Sequence, residues 1–126
     1  MNDRELLNIA QEASTKAYAP YSNYRVGAAL ECEDGTVYSG CNVENAAYGE
    51  CICAERCAVV KAVSEGRRAF RRIAIYAEGR NYAMPCGACR QVLAEFSPEM
   101  EVLSARAGGS YVSYPLNRLL PYTFKL

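Results

Sequence analysis

Cys86 and Cys89 lie in the run Pro85-Cys86-Gly87-Ala88-Cys89-Arg90, and a third cysteine opens the run Cys53-Ala54-Glu55-Arg56. The C-x-x-C spacing lets two sulfurs converge on one cation. Cys53 and Cys86 both stand where a helix is predicted to begin. Unsatisfied N–H groups and the positive end of the helix dipole favour thiolate over thiol there. Thiolate is the form that zinc binds. Three thiolates leave one corner of a tetrahedral zinc for water, which is the pattern of catalytic rather than structural zinc. The metal lowers the pKa of that water. Glu55, on the first helical turn, is placed to reach the open corner without ligating the metal. A carboxylate so placed takes up a proton and delivers it elsewhere.

Charge sharpens the reading. Zinc bound to three thiolates is net negative and polarises water weakly. A neighbouring cation offsets this. Arg56 is adjacent in sequence and is expected to donate hydrogen bonds to the sulfurs, with Arg90 the competing candidate.

Other chemistries fit parts of the pattern. A C-x-x-C pair alone suits a redox motif or half of a structural zinc site. Cys57 follows Cys53 by one helical turn, so Cys53, Cys57, Cys86 and Cys89 could close a four-sulfur structural site. That arrangement leaves Glu55 without a role. Cys32, Cys41 and Cys51 read as buried or half-buried small apolar residues.

The elements that must position these residues are legible from periodicity and breakers. Residues 3–17 form an amphipathic helical pattern through Leu6, Leu7, Ile9, Ala10, Ala13 and Ala17, which Pro20 ends. Val26–Cys32 and Thr36–Cys41 read as strands joined at Asp34-Gly35, a strong hairpin signal. Cys53–Ser64 reads as a helix stopped by Gly66. Arg72–Ala77 reads as a strand and Gly87–Phe96 as a helix ending before Pro98. Glu101–Ala105 and Tyr111–Tyr114 are candidate strands, and Leu116–Leu120 a short helix. Helices interleaved with strands imply a layered α/β domain with a covered central sheet. No linker or repeat divides the chain, so residues 1–126 read as one domain.

Bulk properties narrow the function classes. The chain has 126 residues, enough for a modest core, with 51% hydrophobic and 22% charged residues. Lys plus Arg equals Asp plus Glu, at 14 each, so no bulk charge draws it to nucleic acid or anionic membrane. Arg67, Arg68, Arg71 and Arg72 read as a solvated cluster at a helix terminus. No run of 18 apolar residues suits a membrane span. The charged start, Met1-Asn2-Asp3-Arg4-Glu5, is unlike a signal peptide, so a cytoplasmic location is expected. Seven cysteines cannot all pair within one chain, and histidine is absent. A metal must therefore be held by thiolates and carboxylates.

The combination Cys53-Ala54-Glu55 with Pro85-Cys86-Gly87-Ala88-Cys89 resembles the zinc deaminase signature, in which a ligand, a spacer and a glutamate precede P-C-x-x-C. The three-cysteine version resembles the small tetrameric cytidine deaminases that act on free nucleosides. Further likeness lies in Ala19-Pro20-Tyr21-Ser22, Val26-Gly27-Ala28-Ala29-Leu30, Gly40-Cys41-Asn42-Val43-Glu44-Asn45-Ala46 and Leu119-Leu120-Pro121. It covers nearly the whole chain.

The resemblance implies a three-layer α/β/α domain with a mixed, roughly five-stranded central sheet. It implies hydrolytic deamination of cytidine and 2′-deoxycytidine, with one Zn2+ per subunit held by Cys53, Cys86 and Cys89 and with Glu55 as proton shuttle. Asn42 and Glu44 would bind ribose hydroxyls, and the Ala54 backbone the pyrimidine edge. A homotetramer is implied, in which Ala46 and Tyr48 reach a neighbour's substrate and Phe124 stacks on its base. Alternation after a strand lets Asn42 and Glu44 face one side. Two departures stand out. Tyr24 occupies the position of a phenylalanine that packs on the nucleoside, and Tyr122-Thr123 replace a small Gly-Ala pair before Phe124. Deamination of polynucleotides is disfavoured by the neutral charge. Deamination of a related small heterocycle, such as a nucleoside antibiotic, stays open.

Overall fold

The computed structural model describes residues 1–126. Its elements, in chain order, are α1 (Asp3–Ser14), β1 (Val26–Cys32), β2 (Val37–Cys41), a single 3-10 turn (Tyr48–Glu50), α2 (Ala54–Ser64), β3 (Phe70–Ala77), α3 (Gly87–Phe96), β4 (Glu101–Ala105), β5 (Tyr111–Pro115) and α4 (Leu116–Leu119).

The five strands form one mixed sheet in the order β2-β1-β3-β4-β5. The β3–β4 pair is parallel, and its crossover carries α3; the other pairs are antiparallel. The hairpin at Asp34-Gly35 forms as expected. Gly35 takes φ 90°, and Thr36 N–H donates to Asp34 Oδ1 at 3.0 Å.

Strand alternation divides the buried residues between two cores. Leu6, Leu7 and Ala10 of α1 pack on Ala29, Ala74, Tyr76, Leu103 and Ala105. Ala28, Leu30, Ile73, Ile75 and Val102 point the other way, against Ala54, Ala58 and Val59 of α2, Leu93 of α3 and Leu116 of α4. The result is three layers, α/β/α. Glycine permits the closest approach on each face. A Cβ at Gly27 would lie 1.9 Å from Ala10 O, and one at Gly40 would lie 2.6 Å from Ala54 O and from Ala58 N.

Three expectations need correction. Helix α1 stops at Ser14, not residue 17. Its N-terminus is fixed by a capping box between Asn2 and Glu5. At its other end Ser14 Oγ and Thr15 Oγ1 donate back to the Gln11 and Glu12 carbonyls. The chain then leaves so that Tyr18 can pair with Val43. Strand β3 starts at Phe70, two residues before the expected Arg72, so Arg71 joins Arg72 in the sheet rather than standing at a helix terminus. Arg72 donates to Glu31 Oε1 at 2.7 Å and to Asp3 Oδ1 at 2.5 Å. Only Arg68 serves a helix end, donating to the Val63 carbonyl of α2 at 2.7 Å. Arg67 pairs with Asp34 at 2.9 Å. The arginine cluster is thus spent on internal contacts.

Candidate active site

Helices α2 and α3 lie on the same face of the sheet, and each begins with a cysteine. Cys53 is the N-cap of α2 and Cys86 the N-cap of α3. An ordinary cap residue turns its side chain onto the helix N–H groups. Neither cysteine does so, which leaves both sulfurs free for other work. Cys89, on the first turn of α3, completes the set. The Sγ atoms of Cys53, Cys86 and Cys89 all lie within 4.8 Å of one another.

This donor set fits a zinc ion. Bonds of about 2.3 Å in tetrahedral geometry place sulfurs about 3.8 Å apart, so the cluster needs little or no movement to close on one. Its electrostatics agree. Hydrogen bonds from Cys89 and then Arg56 push the Cys53 thiol down to about 5. Cys89 is pushed up by the adjacent Cys53 sulfur and by burial. Three sulfurs so close cannot all ionise without a cation among them. Cys57 is not part of the group. Its Cβ faces β2 at Gly40, so the four-sulfur closed site does not form.

Glu55 follows on the first turn of α2 and is 6% exposed. Burial, with the nearby Cys53 sulfur, pushes its carboxyl up to about 7. Arg56, the next residue, donates from Nη2 to Cys53 Sγ at 3.5 Å. Its Nε is buried with no hydrogen-bond partner. Arg90 is employed elsewhere, donating to the carbonyls of Pro85 and Leu119 at 2.7 Å each.

Beside the sulfurs lies a cleft of about 230 Å³. Tyr24, Asn42, Cys53, Ala54, Glu55 and Cys86 line it, all of them named from sequence. As the first residue of α2, Ala54 has a backbone N–H with no partner inside the helix. The Tyr24 phenol is raised by burial and by Glu55. Four further walls, Val26, Ile75, Ala83 and Met84, were not anticipated. Met84 had a signal, since it immediately precedes Pro85-Cys86. Val26 and Ile75 had none, because which face a strand residue shows depends on register.

Asn42 lines this cleft and Glu44 does not. Asn42 braces the backbone that carries Tyr24: its Oδ1 accepts from Val26 N–H at 2.9 Å, and its Nδ2 donates to the Tyr24 carbonyl at 2.8 Å. Glu44 lines a separate hollow with Tyr21, Ser22, Tyr48 and Cys51. Its carboxylate accepts from Tyr21 N–H at 2.9 Å, Ser22 N–H at 3.1 Å and Ser22 Oγ at 2.5 Å. These bonds hold it below the usual carboxylate range, the Ser22 hydroxyl foremost. The chain bends after β2 to pair Val43 with both Tyr18 and Ile52. Ala46, Tyr48 and Phe124 are exposed and lie outside the cleft.

Comparison with known proteins places this geometry in a lineage. The chain is 46% identical to cytidine deaminase from Sporosarcina psychrophila over 125 residues, covering 98% of this chain and 92% of that protein. It is 45% identical to cytidine deaminase from Halalkalibacterium halodurans, covering 98% and 95%. The solved structure of cytidine deaminase from Burkholderia pseudomallei matches with a TM-score of 0.95 at 46% identity, covering 98% of this chain and all of that one. Residues 1–105, which hold all three sulfurs and Glu55, match the family model described as the cytidine and deoxycytidylate deaminase zinc-binding region. The family model spans most of the chain, and the relatives match it nearly end to end; the chain belongs to the cytidine and deoxycytidylate deaminase family.

Proposed function

We propose that this chain, as one catalytic domain, hydrolyses cytidine and 2′-deoxycytidine to the corresponding uridines and ammonia. The observation that carries the reading is the convergence of Cys53, Cys86 and Cys89 beside the buried Glu55, at the end of a cleft sized for a small molecule. Membership of the family and full-length similarity to cytidine deaminases support the same substrate class.

Zinc held by the three sulfurs supplies Lewis acidity, which brings a water's pKa toward neutrality. The rest is done by the chain. Glu55 takes a proton from the water that attacks ring C4 and delivers it to ring N3. It then takes the second proton from the C4 hydroxyl and passes it to the amino group, so that C4=O forms as the C4–N bond breaks and ammonia leaves. The unpaired N–H of Ala54 offers a donor to the pyrimidine edge. Tyr24 packs against the nucleoside, with its hydroxyl free to find a polar partner. Arg56 offsets the charge of the sulfurs. Contacts that strengthen as C4 becomes tetrahedral are those that accelerate the reaction.

For the sugar, the reading rests on Asn42 and Glu44. Asn42 lines the cleft and keeps one amide hydrogen beyond its bond to Tyr24. Glu44 reaches ribose from the neighbouring hollow, or orders the Tyr21-Ser22 loop that does. Ala46, Tyr48 and Phe124 fit a homotetramer in which each subunit completes another's site. Exposed aromatic rings at Tyr48 and Phe124 support that assembly. A cytoplasmic location suits seven free cysteines. No helix is long and apolar enough to cross a membrane.

The test is a direct assay of cytidine, deoxycytidine, cytosine and a short single-stranded DNA, following loss of the cytosine absorbance. Turnover of the first two alone supports the proposal. Turnover of the DNA, or of none, overturns it.

A further inference from the structure

Four polar side chains are buried in this chain: Ser14, Glu31, Glu55 and Ser104. Ser14 bonds within its own helix, Glu31 is paired with Arg72, and Glu55 belongs to the candidate site. Ser104 has no local account. It is 0% exposed, in the interior of β4. A hydroxyl there costs free energy unless it is bonded. Its Oγ donates to the carbonyl of Ala83 at 2.7 Å, across 21 residues of chain.

Ala83 is a wall of the cleft, next to Met84, which is another, and two residues before the Pro85-Cys86 pair. The segment between β3 and α3 has no regular backbone ladder of its own. Side chains from β4 and from the residue that follows it hold it instead. Arg106 Nη1 donates to the Arg80 carbonyl at 2.8 Å, and its guanidinium sits 4.6 Å from the Tyr82 ring centre. Those contacts are exposed, whereas the Ser104 bond lies in the interior. Ser104 is also in register with Ile75, itself a wall of the cleft.

We infer that Ser104 is a positioning residue: its hydroxyl fixes the Ala83 carbonyl and so sets the shape of the cleft wall that meets the nucleoside. Ser104 touches no substrate. It acts through the backbone of residues 83 and 84, and its effect falls on binding before chemistry. The inference rests on the substrate proposed above, but one of its tests does not.

Ser104→Ala removes the donor while leaving a side chain that fits a buried strand. It is expected to raise KM for cytidine about five-fold, the scale of one lost hydrogen bond, with kcat within about two-fold and zinc content unchanged. Ser104→Cys, which keeps the volume and a weak donor, is expected to fall between the two. Amide hydrogen exchange read on wild type and Ser104→Ala needs no substrate. Faster exchange confined to residues 79–85, with α2 unchanged, is the expected result. If exchange in that segment is unaltered, or if KM stays at the wild-type value while the melting temperature falls, Ser104 is merely a core residue and the inference is overturned. Wild-type protein that fails to deaminate cytidine refutes the proposed substrate, and the exchange experiment still decides the role of Ser104.

Discussion

The guanidinium of Arg56 lies 3.5 Å from the sulfur of Cys53, so the third residue of α2 folds back over the cysteine that caps it. The contact places a fixed positive charge on a sulfur cluster whose charge would otherwise blunt a bound metal. Arg56→Gln keeps the helix but removes that charge. It is expected to lower zinc affinity or kcat about 10- to 100-fold, measured by chelator competition and by steady-state kinetics. Wild-type values for both would remove Arg56 from the site.

Glu55 sits on the same turn and ligates nothing in the proposed scheme. Glu55→Gln is therefore expected to retain one zinc per chain by metal analysis while kcat falls about 10²- to 10⁴-fold. Loss of the metal along with activity would instead make Glu55 a ligand.

Gly40 lets the first turn of α2 rest directly on β2. An added Cβ would meet the backbone at Ala54 O and Ala58 N, both 2.6 Å away, and backbone cannot swing aside. Gly40→Ala is expected to cost about 1–3 kcal/mol of stability and to reduce zinc occupancy, because the displaced turn carries Cys53. Chemical denaturation and metal analysis read the two effects. A variant as stable as wild type would show that α2 has room to move.

Glu44 predicts a pH dependence with a definite sign. Its carboxyl is held low in the fold, chiefly by the Ser22 hydroxyl. A group with a lowered folded pKa stabilises the protein above its unfolded pKa, and that contribution vanishes as pH falls through the folded value. The stability advantage of wild type over Glu44→Gln is thus expected to be constant from neutrality to about pH 5 and to shrink below it. Denaturant titrations of both proteins across that range provide the check. An advantage that grows on acidification contradicts the assignment.

Phe124 is 64% exposed in the single chain. In the proposed tetramer it stacks on a neighbour's base. Sedimentation equilibrium should give the mass of four chains. Phe124→Ala should raise KM for cytidine about three- to ten-fold, the range for one aromatic pair. A fully active monomer excludes the shared site.

Much of this molecule was legible before its fold was described. Strand β1 reads correctly at both ends because Asp34-Gly35 punctuates it, and the helix starts at Cys53 and Cys86 follow from composition and spacing. What failed did so for tertiary reasons. Helix α1 looks longer than it is because Ala17 prolongs the apolar rhythm, while the pairing of Tyr18 with Val43 ends it. Arg71 looks helix-terminal, but it lies within β3, between Phe70 and Arg72, which pair with β1. The hydrogen bonds of Glu44 reach back 22 and 23 residues, beyond any local pattern. In the cleft, the polar residues and the cysteines announced themselves by type, whereas Val26, Ile75, Ala83 and Met84 are apolar residues that strand register and loop path bring there.

The two capping cysteines lie on either side of β3 in the chain, one before it and one after. An ion gripped by both therefore acts as a clasp, cross-linking α2 to α3 and closing the loop of polypeptide that contains the central strand. Metal loading becomes part of how the layer holds together. Depletion of zinc during expression would be felt first as loose, protease-sensitive protein, before any question of catalysis arises.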